Sequence, residues 1–139
     1  MRTRPPLDEI RRIYAETKTI AVVGASQNRS KFGNKCVRAY LEHGYVVYPI
    51  NLTATEIERL PVFAAVSDVP DRLDRISIYL LPEKTKRLLP ELASHSGTEI
   101  WFNPGSVDAE GVEEAARLGL EIRSGCSIVD IGLSPSQFP

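Results

Sequence analysis

The stretch Thr19-Ile20-Ala21-Val22-Val23-Gly24-Ala25-Ser26 is β-branched and apolar without a break until it stops at a glycine and two small residues. A strand wetted on one face would alternate, so an unbroken run of this length reads as a strand covered on both faces, as in parallel sheets flanked by helices. The next residues, Gln27 to Lys31, are polar, and beyond them Cys36, Val37, Tyr40 and Leu41 fall on one helical stripe. Gly44 follows as a left-handed C-terminal cap. Strand, tight turn and crossover helix make the repeating unit of a parallel α/β sheet.

The rest of the chain continues that unit. Tyr45-Val46-Val47-Tyr48-Pro49-Ile50 is a second strand, with Pro49 near its end because proline cannot donate inside a ladder. Residues 51–60 are polar and irregular, Val62-Phe63 adds a little extended chain, and Asp68, Pro70 and Asp71 mark turns. Arg75 to Leu81 is the third strand, and Pro82 suits the first turn of a helix carrying Leu88, Leu89, Leu92 and Ala93, which Pro90 should kink or divide. Glu99 to Phe102 is the fourth strand, Asn103-Pro104-Gly105-Ser106 a turn, Asp108 to Leu118 a helix closed by Gly119, and Glu121 to Arg123 the fifth strand. Upstream, Leu7, Ile10, Ile13 and Tyr14 predict an amphipathic helix after Pro5-Pro6. The fold class is therefore α/β: a Rossmann-like, doubly wound, mainly parallel five-stranded sheet of order 3-2-1-4-5 with helices on both faces, in a single domain over residues 1–139.

Composition narrows the function. Seventeen Lys and Arg against eighteen Asp and Glu leave a net charge of -1, which advertises neither nucleic acid nor an anionic membrane as a partner. No apolar run approaches the roughly 20 residues that span a bilayer, and the start has no signal-peptide core, so a cytoplasmic protein is expected. Cys36 and Cys126 stand far apart, and His43 and His95 are the two histidines, so no metal site is expected.

In a doubly wound sheet the ligand lies beyond the carboxyl ends of the strands. That rule selects Gly24-Ala25-Ser26, Pro49-Ile50-Asn51, Leu80-Leu81-Pro82 and Asn103-Pro104-Gly105-Ser106. These segments hold small, kinked or neutral polar residues and no acid–base pair, so they are suited to receiving a ligand and no catalytic residue is assigned. The first segment leads into a helix whose free N–H groups attract phosphate, and Arg29 and Lys31 add charge there. A dinucleotide fingerprint fails: Ser26 and Arg29 stand where the second and third glycines of GxGxxG would fall, and Asn51 where an acidic residue would hold a ribose. Each residue also has a plain structural role: Gly24 as a turn, Ser26 as a helix cap, Arg29 and Lys31 as surface charges, Asn51 as an Asx turn, Trp101 as core.

Taken in order, Val23-Gly24-Ala25-Ser26, Lys31-Phe32-Gly33, Tyr40-Leu41 through Gly44-Tyr45 to Pro49-Ile50-Asn51, Leu81-Pro82, and Trp101 with Gly105 resemble the small CoA-binding protein family. That family shares its fold with the CoA-binding domain of succinyl-CoA synthetase α subunits and ADP-forming acyl-CoA synthetases. The resemblance covers nearly the whole chain. It implies noncovalent binding of coenzyme A or an acyl-CoA, with Gly24, Ala25 and Ser26 cradling phosphate that Arg29 and Lys31 neutralise. Pro49, Ile50 and Asn51 would flank the adenosine, Leu81 and Pro82 would pack on the nucleotide, and Trp101 to Gly105 would border the pantetheine path.

The chain departs from the family pattern at three places. Leu52 replaces a second proline, Trp101-Phe102-Asn103 replaces W-x-Q, and Ser124-Gly125-Cys126 replaces D-R-C, with no later histidine. Cys126 matches the family's cysteine, and a mixed disulfide with CoA is conceivable there. Without ligase or ATP-grasp portions this chain should not activate acids alone; it could supply CoA to a protein partner or sense its acylation. The rival readings are an NAD(P)-dependent oxidoreductase or other nucleotide-using enzyme, and an interaction module with no small ligand.

Overall fold

The computed structural model describes residues 17–139, so the helix expected from Leu7 to Tyr14 lies outside the described residues. The elements are β1 (Thr19–Val23), α1 (Phe32–Glu42), β2 (Val46–Ile50), β3 (Glu56–Ile57), β4 (Leu60–Pro61), β5 (Arg75–Ile78), α2 (Pro82–Leu92), β6 (Glu99–Phe102), α3 (Ala109–Arg117), β7 (Glu121–Ser124) and α4 (Ser127–Asp130), with short 3-10 turns at Val66–Asp68 and Pro135–Gln137. Five strands form one parallel sheet in the order β2-β1-β5-β6-β7. β3 and β4 form a separate antiparallel hairpin.

Burial follows the strand pleat. Ile20 and Val22 of β1 pack with Val37 and Tyr40 of α1 on one face, while Ala21 and Val23 pack with Leu89 of α2 and Ala115 of α3 on the other. Each residue of β1 from Ile20 onward is thus buried, which is why its sequence shows no alternation. Asp108 caps α3 by accepting from the Gly111 N–H at 2.8 Å. Gly44 and Gly119, with φ of 90° and 74°, close α1 and α3 in the left-handed region. Pro90 does not divide α2; it sits in the last turn, and the helix ends two residues beyond it at Leu92.

The strand order corrects the expectation. Counted along the chain, the five long strands run 2-1-3-4-5 and not 3-2-1-4-5, because β5 pairs with the free side of β1 (Ile20↔Arg75 to Val23↔Ile78) instead of with β2. The outer side of β2 is taken by Phe63, which bridges Ile50 in parallel, its N–H donating to the Pro49 carbonyl at 3.0 Å. The next long strand, β5, lies on the other side of β1. The reversal of strand order then falls between β1 and β5, where α1 leaves toward one face and α2 toward the other. This opens a crevice at their carboxyl ends.

Candidate functional site

The crevice begins where the loop after β1 touches the loop after β5. Gly24 has φ of 86°, and a Cβ there would lie 2.3 Å from the Tyr79 carbonyl oxygen. The backbone can pass only as glycine. Gly33, in the first turn of α1, is equally tight: its added Cβ would meet the Gly24 carbonyl oxygen at 2.1 Å. The close helix-to-strand packing that the last glycine of a dinucleotide fingerprint provides is therefore supplied by Gly33 through a longer loop.

Within that loop the Ser26 hydroxyl accepts from the Asn28 N–H at 3.0 Å, and the Asn28 side-chain oxygen accepts from the Ser30 N–H at 3.0 Å. Ser26 is thus a loop former and not the helix cap. Lys31 takes the cap position with no side-chain cap, and the first turn of α1 has no acidic residue of its own to offset the positive end of its dipole. Arg29 reaches Glu58 of the β3–β4 hairpin at 3.4 Å, and the Asn34 amide donates to the same carboxylate at 3.3 Å. Arg38 binds the loop from behind, donating to the Asn34 side-chain oxygen at 2.7 Å and to the Arg29 carbonyl at 2.8 Å. Burial, and then the charge of Arg29, lower the affinity of Arg38 for its proton.

Asn51, at the end of β2, donates to the Ala25 carbonyl at 2.9 Å and accepts from the Thr53 and Ala54 N–H groups at 2.9 Å each. One side chain makes an Asx turn and fastens the two ligand-edge loops together. Beside it lies a cavity of about 630 Å³, within the range of small-molecule sites. Gly24, Ile50 and Asn51 line it, with Leu52, Thr53 and Val66 on one side and Leu80, Lys84, Arg87 and Leu88 on the α2 side.

Of the residues expected at the site, Gly24, Ile50 and Asn51 meet in this cavity, whereas Ala25, Ser26, Arg29, Lys31, Pro49, Leu81, Pro82, Trp101 and Gly105 do not line it. Ala25 is buried behind the loop. Ser26, Arg29 and Lys31 lie along the loop's outer course into α1. Leu80 takes the wall position while Leu81, 70% exposed, points to solvent as the cap of α2, and Pro82 opens that helix. Ile100 and Phe102 pack under α2 and α3, and the pleat turns Trp101 to the opposite face, where the Arg75 guanidinium lies 5.2 Å from its ring centroid. Gly105 occupies the turn beyond β6 with φ of 84°.

Sequence reading missed Lys84 and Arg87. The signal was available, since Lys84, Arg87, Leu88 and Glu91 share one helical face that mixes leucine with charge. It also missed a buried polar cluster. The Asn103 amide donates to the Ser77 hydroxyl at 2.8 Å and the Ile78 carbonyl at 3.0 Å, and its oxygen accepts from the Ser127 N–H at 2.9 Å. The Ser77 and Ser127 hydroxyls are 2.7 Å apart, and Tyr40 donates to the Ser127 carbonyl at 2.7 Å. Burial pushes the Cys36 thiol in this cluster up to about 11 and raises Tyr40 and Tyr79 further above their ordinary values, so these groups hold their protons. Cys126, half-buried, precedes Ser127 at the start of α4. Among the described residues no three His, Cys, Asp or Glu side chains converge in a metal-binding group, and no helix is long and apolar enough to cross a membrane.

A parallel α/β sheet with a glycine-forced loop at the strand-order reversal and a cavity at its carboxyl edge defines a Rossmann-like domain. Residues 18–132 match the CoA binding domain family, and the chain belongs to it. It is 27% identical over 139 aligned positions to the α subunit of the ADP-forming acetate–CoA ligase I of Pyrococcus furiosus, covering 87% of this chain and 29% of that subunit. The chain thus spans less than a third of that relative. A conserved hypothetical protein from Pyrococcus furiosus superimposes with a TM-score of 0.75 at 30% identity, covering 81% of this chain and 98% of the other. The dinucleotide-forming acetyl-coenzyme A synthetase 1 of Ca. Korarchaeum cryptofilum does so with a TM-score of 0.66 at 31% identity, covering 76% of this chain and 25% of the synthetase.

Proposed function

We propose that this chain, as a single cytoplasmic domain, binds coenzyme A or an acyl-CoA noncovalently at the carboxyl edge of its sheet and carries out no chemistry on it by itself. The observation that carries this reading is the cavity of about 630 Å³ bounded by Gly24 and Asn51 at the strand-order reversal of a CoA binding domain. Backbone of Gly24 to Ser26 and the uncapped start of α1 would face the pyrophosphate, with Arg29 and Lys31 alongside. Ile50 and Asn51 would flank the adenosine, with Pro49 behind them. Leu81 and Pro82 would pack on the nucleotide, and Trp101 to Gly105 would border the pantetheine path. The Cys36 thiol and the Tyr79 hydroxyl, held protonated by burial, lie outside the cavity lining. Delivery of the bound CoA to a protein partner fits the relation to a ligase subunit.

Thermal unfolding with CoA, acetyl-CoA, dephospho-CoA, NAD, NADP and ATP in parallel tests the reading. A ligand at about 100 times its dissociation constant adds roughly 2.7 kcal/mol, a shift of several degrees for a domain of this size. Stabilisation by CoA species is expected. Stabilisation by NAD or NADP alone would replace the reading with a dinucleotide site, and no stabilisation by any of them would leave an interaction module.

A further inference from the structure

We propose that Lys84 and Arg87 of α2 form a second anion site that holds the ribose 3′-phosphate of CoA and makes the chain select CoA over dephospho-CoA; this rests on the CoA reading of the cavity. Both side chains line the cavity, one helical turn apart on the face that also carries Leu88, with Leu80 ahead of the helix in the same lining. Neither makes an ion pair among the described residues, although Lys86, elsewhere on the same helix, pairs with Glu110 at 2.7 Å. The carboxylate nearest them in the lining, Glu91, is engaged by the Ser67 N–H at 3.1 Å. Among the described residues, the cavity wall therefore offers two cations whose charge no carboxylate has taken.

CoA carries its phosphates in two places, a pyrophosphate and a separate ribose phosphate. The loop after β1 can serve one of them, and its Arg29 already carries Glu58. Lys31 lies outside the cavity lining. The ribose phosphate hangs beside the adenosine, and Ile50 and Asn51, proposed to flank the adenosine, line the same cavity as Lys84 and Arg87. An arginine fork can bind phosphate through two parallel hydrogen bonds while the lysine acts as a point charge.

Calorimetric titration of the wild-type chain and the Lys84→Gln/Arg87→Gln variant with CoA and dephospho-CoA, at one ionic strength, decides it. The wild type should prefer CoA by about tenfold or more, as charge-assisted hydrogen bonds to phosphate allow. In the variant that preference should vanish while dephospho-CoA affinity changes less than about twofold. Equal weakening toward both ligands, or an unchanged preference, would overturn the assignment. So would loss of the preference in Arg29→Gln/Lys31→Gln, which should weaken both ligands alike. A wild type that binds neither ligand would remove the CoA reading itself, before any variant is compared. Both cations are exposed, so the fold should survive; circular dichroism checks this, and the single variants should each lose part of the preference.

Discussion

The carboxylate of Glu58 lies 3.4 Å from the Arg29 guanidinium, so an acidic side chain from the β3–β4 hairpin sits on the basic residue of the loop expected to face phosphate. Glu58 and Arg59 reach this position through left-handed backbone, φ 48° and 65°, in a two-residue turn that usually takes asparagine and glycine. The hairpin is also tied to the loop by Gln27, which donates to the Glu56 carbonyl at 2.9 Å.

Glu58→Gln keeps the shape and removes the charge. Because Arg29 is 61% exposed, the ion pair should contribute at most about 1 kcal/mol to stability. Its removal frees Arg29 for a ligand phosphate, and CoA affinity should rise by up to about fivefold at low salt, with a steeper salt dependence. Titration at two ionic strengths measures it. Unchanged affinity would show that Arg29 takes no part in binding.

Gly33→Ala inserts a Cβ 2.1 Å from the Gly24 carbonyl oxygen, a backbone atom that cannot step aside without moving the whole loop. The overpacking should cost about 1–3 kcal/mol. It should also displace the start of α1 from the loop, so ligand affinity should fall together with the unfolding temperature. Gly44→Ala provides the contrast: nothing lies within 4 Å of its added Cβ, and only the strain of φ 90° is felt. Loss of stability without loss of binding in Gly33→Ala would detach this packing from the ligand edge.

Local chemistry explains what the sequence made legible. Ile20 to Val23 are buried in succession, and Gly44 and Gly119 end their helices, because these features depend on neighbours in the chain. The partner of the third long strand depends on the other side of β1 being free, which no local pattern records; the bridge from Phe63 to Ile50 takes the place assumed for a full strand. The β3–β4 hairpin was hidden because Glu58 and Arg59 give no turn signal. At the site, glycine and asparagine positions could be read from backbone needs. The facing of Trp101 and Leu81 followed from pleat and helix start, and a shift of one residue, from Leu81 to Leu80, changed which leucine lines the cavity.

Cys36 gives a stability prediction with a definite sign. Its thiol ionises at about 11 in the folded chain against an ordinary value of 9.0, so below pH 9 both states are protonated and the contribution is constant. Between pH 9 and 11 the unfolded state loses its proton first, and stability falls by about 1.4 kcal/mol per pH unit. Cys36→Ala should show a shallower decline over that window in denaturant titrations. In native protein at pH 8, iodoacetamide should modify half-buried Cys126 well before Cys36, as peptide mass analysis would record; the reverse order would place the Cys36 thiol in contact with solvent.

Arg75 joins the end of the chain to the sheet. Its guanidinium donates to the Tyr40 hydroxyl at 3.1 Å, pairs with Asp130 of α4 at 2.8 Å and with Glu99 at 3.6 Å, and covers the Trp101 ring. Its side chain is 13% exposed, while Asp130 and Glu99 are about a third exposed, so water screens part of the pairing. Arg75→Ala should therefore cost about 2 kcal/mol, less than a fully buried pair. Arg75→Lys should recover under half of that, because an ammonium restores the charge but neither the fork nor the stacking on indole. Trp101 is the one tryptophan in the chain, so its emission reports the contact directly. The emission should move to longer wavelength in Arg75→Ala as water reaches the ring, and amide exchange in Ser127–Asp130 should accelerate as α4 loses its anchor. Full recovery by lysine would mean that charge alone holds α4 to the sheet.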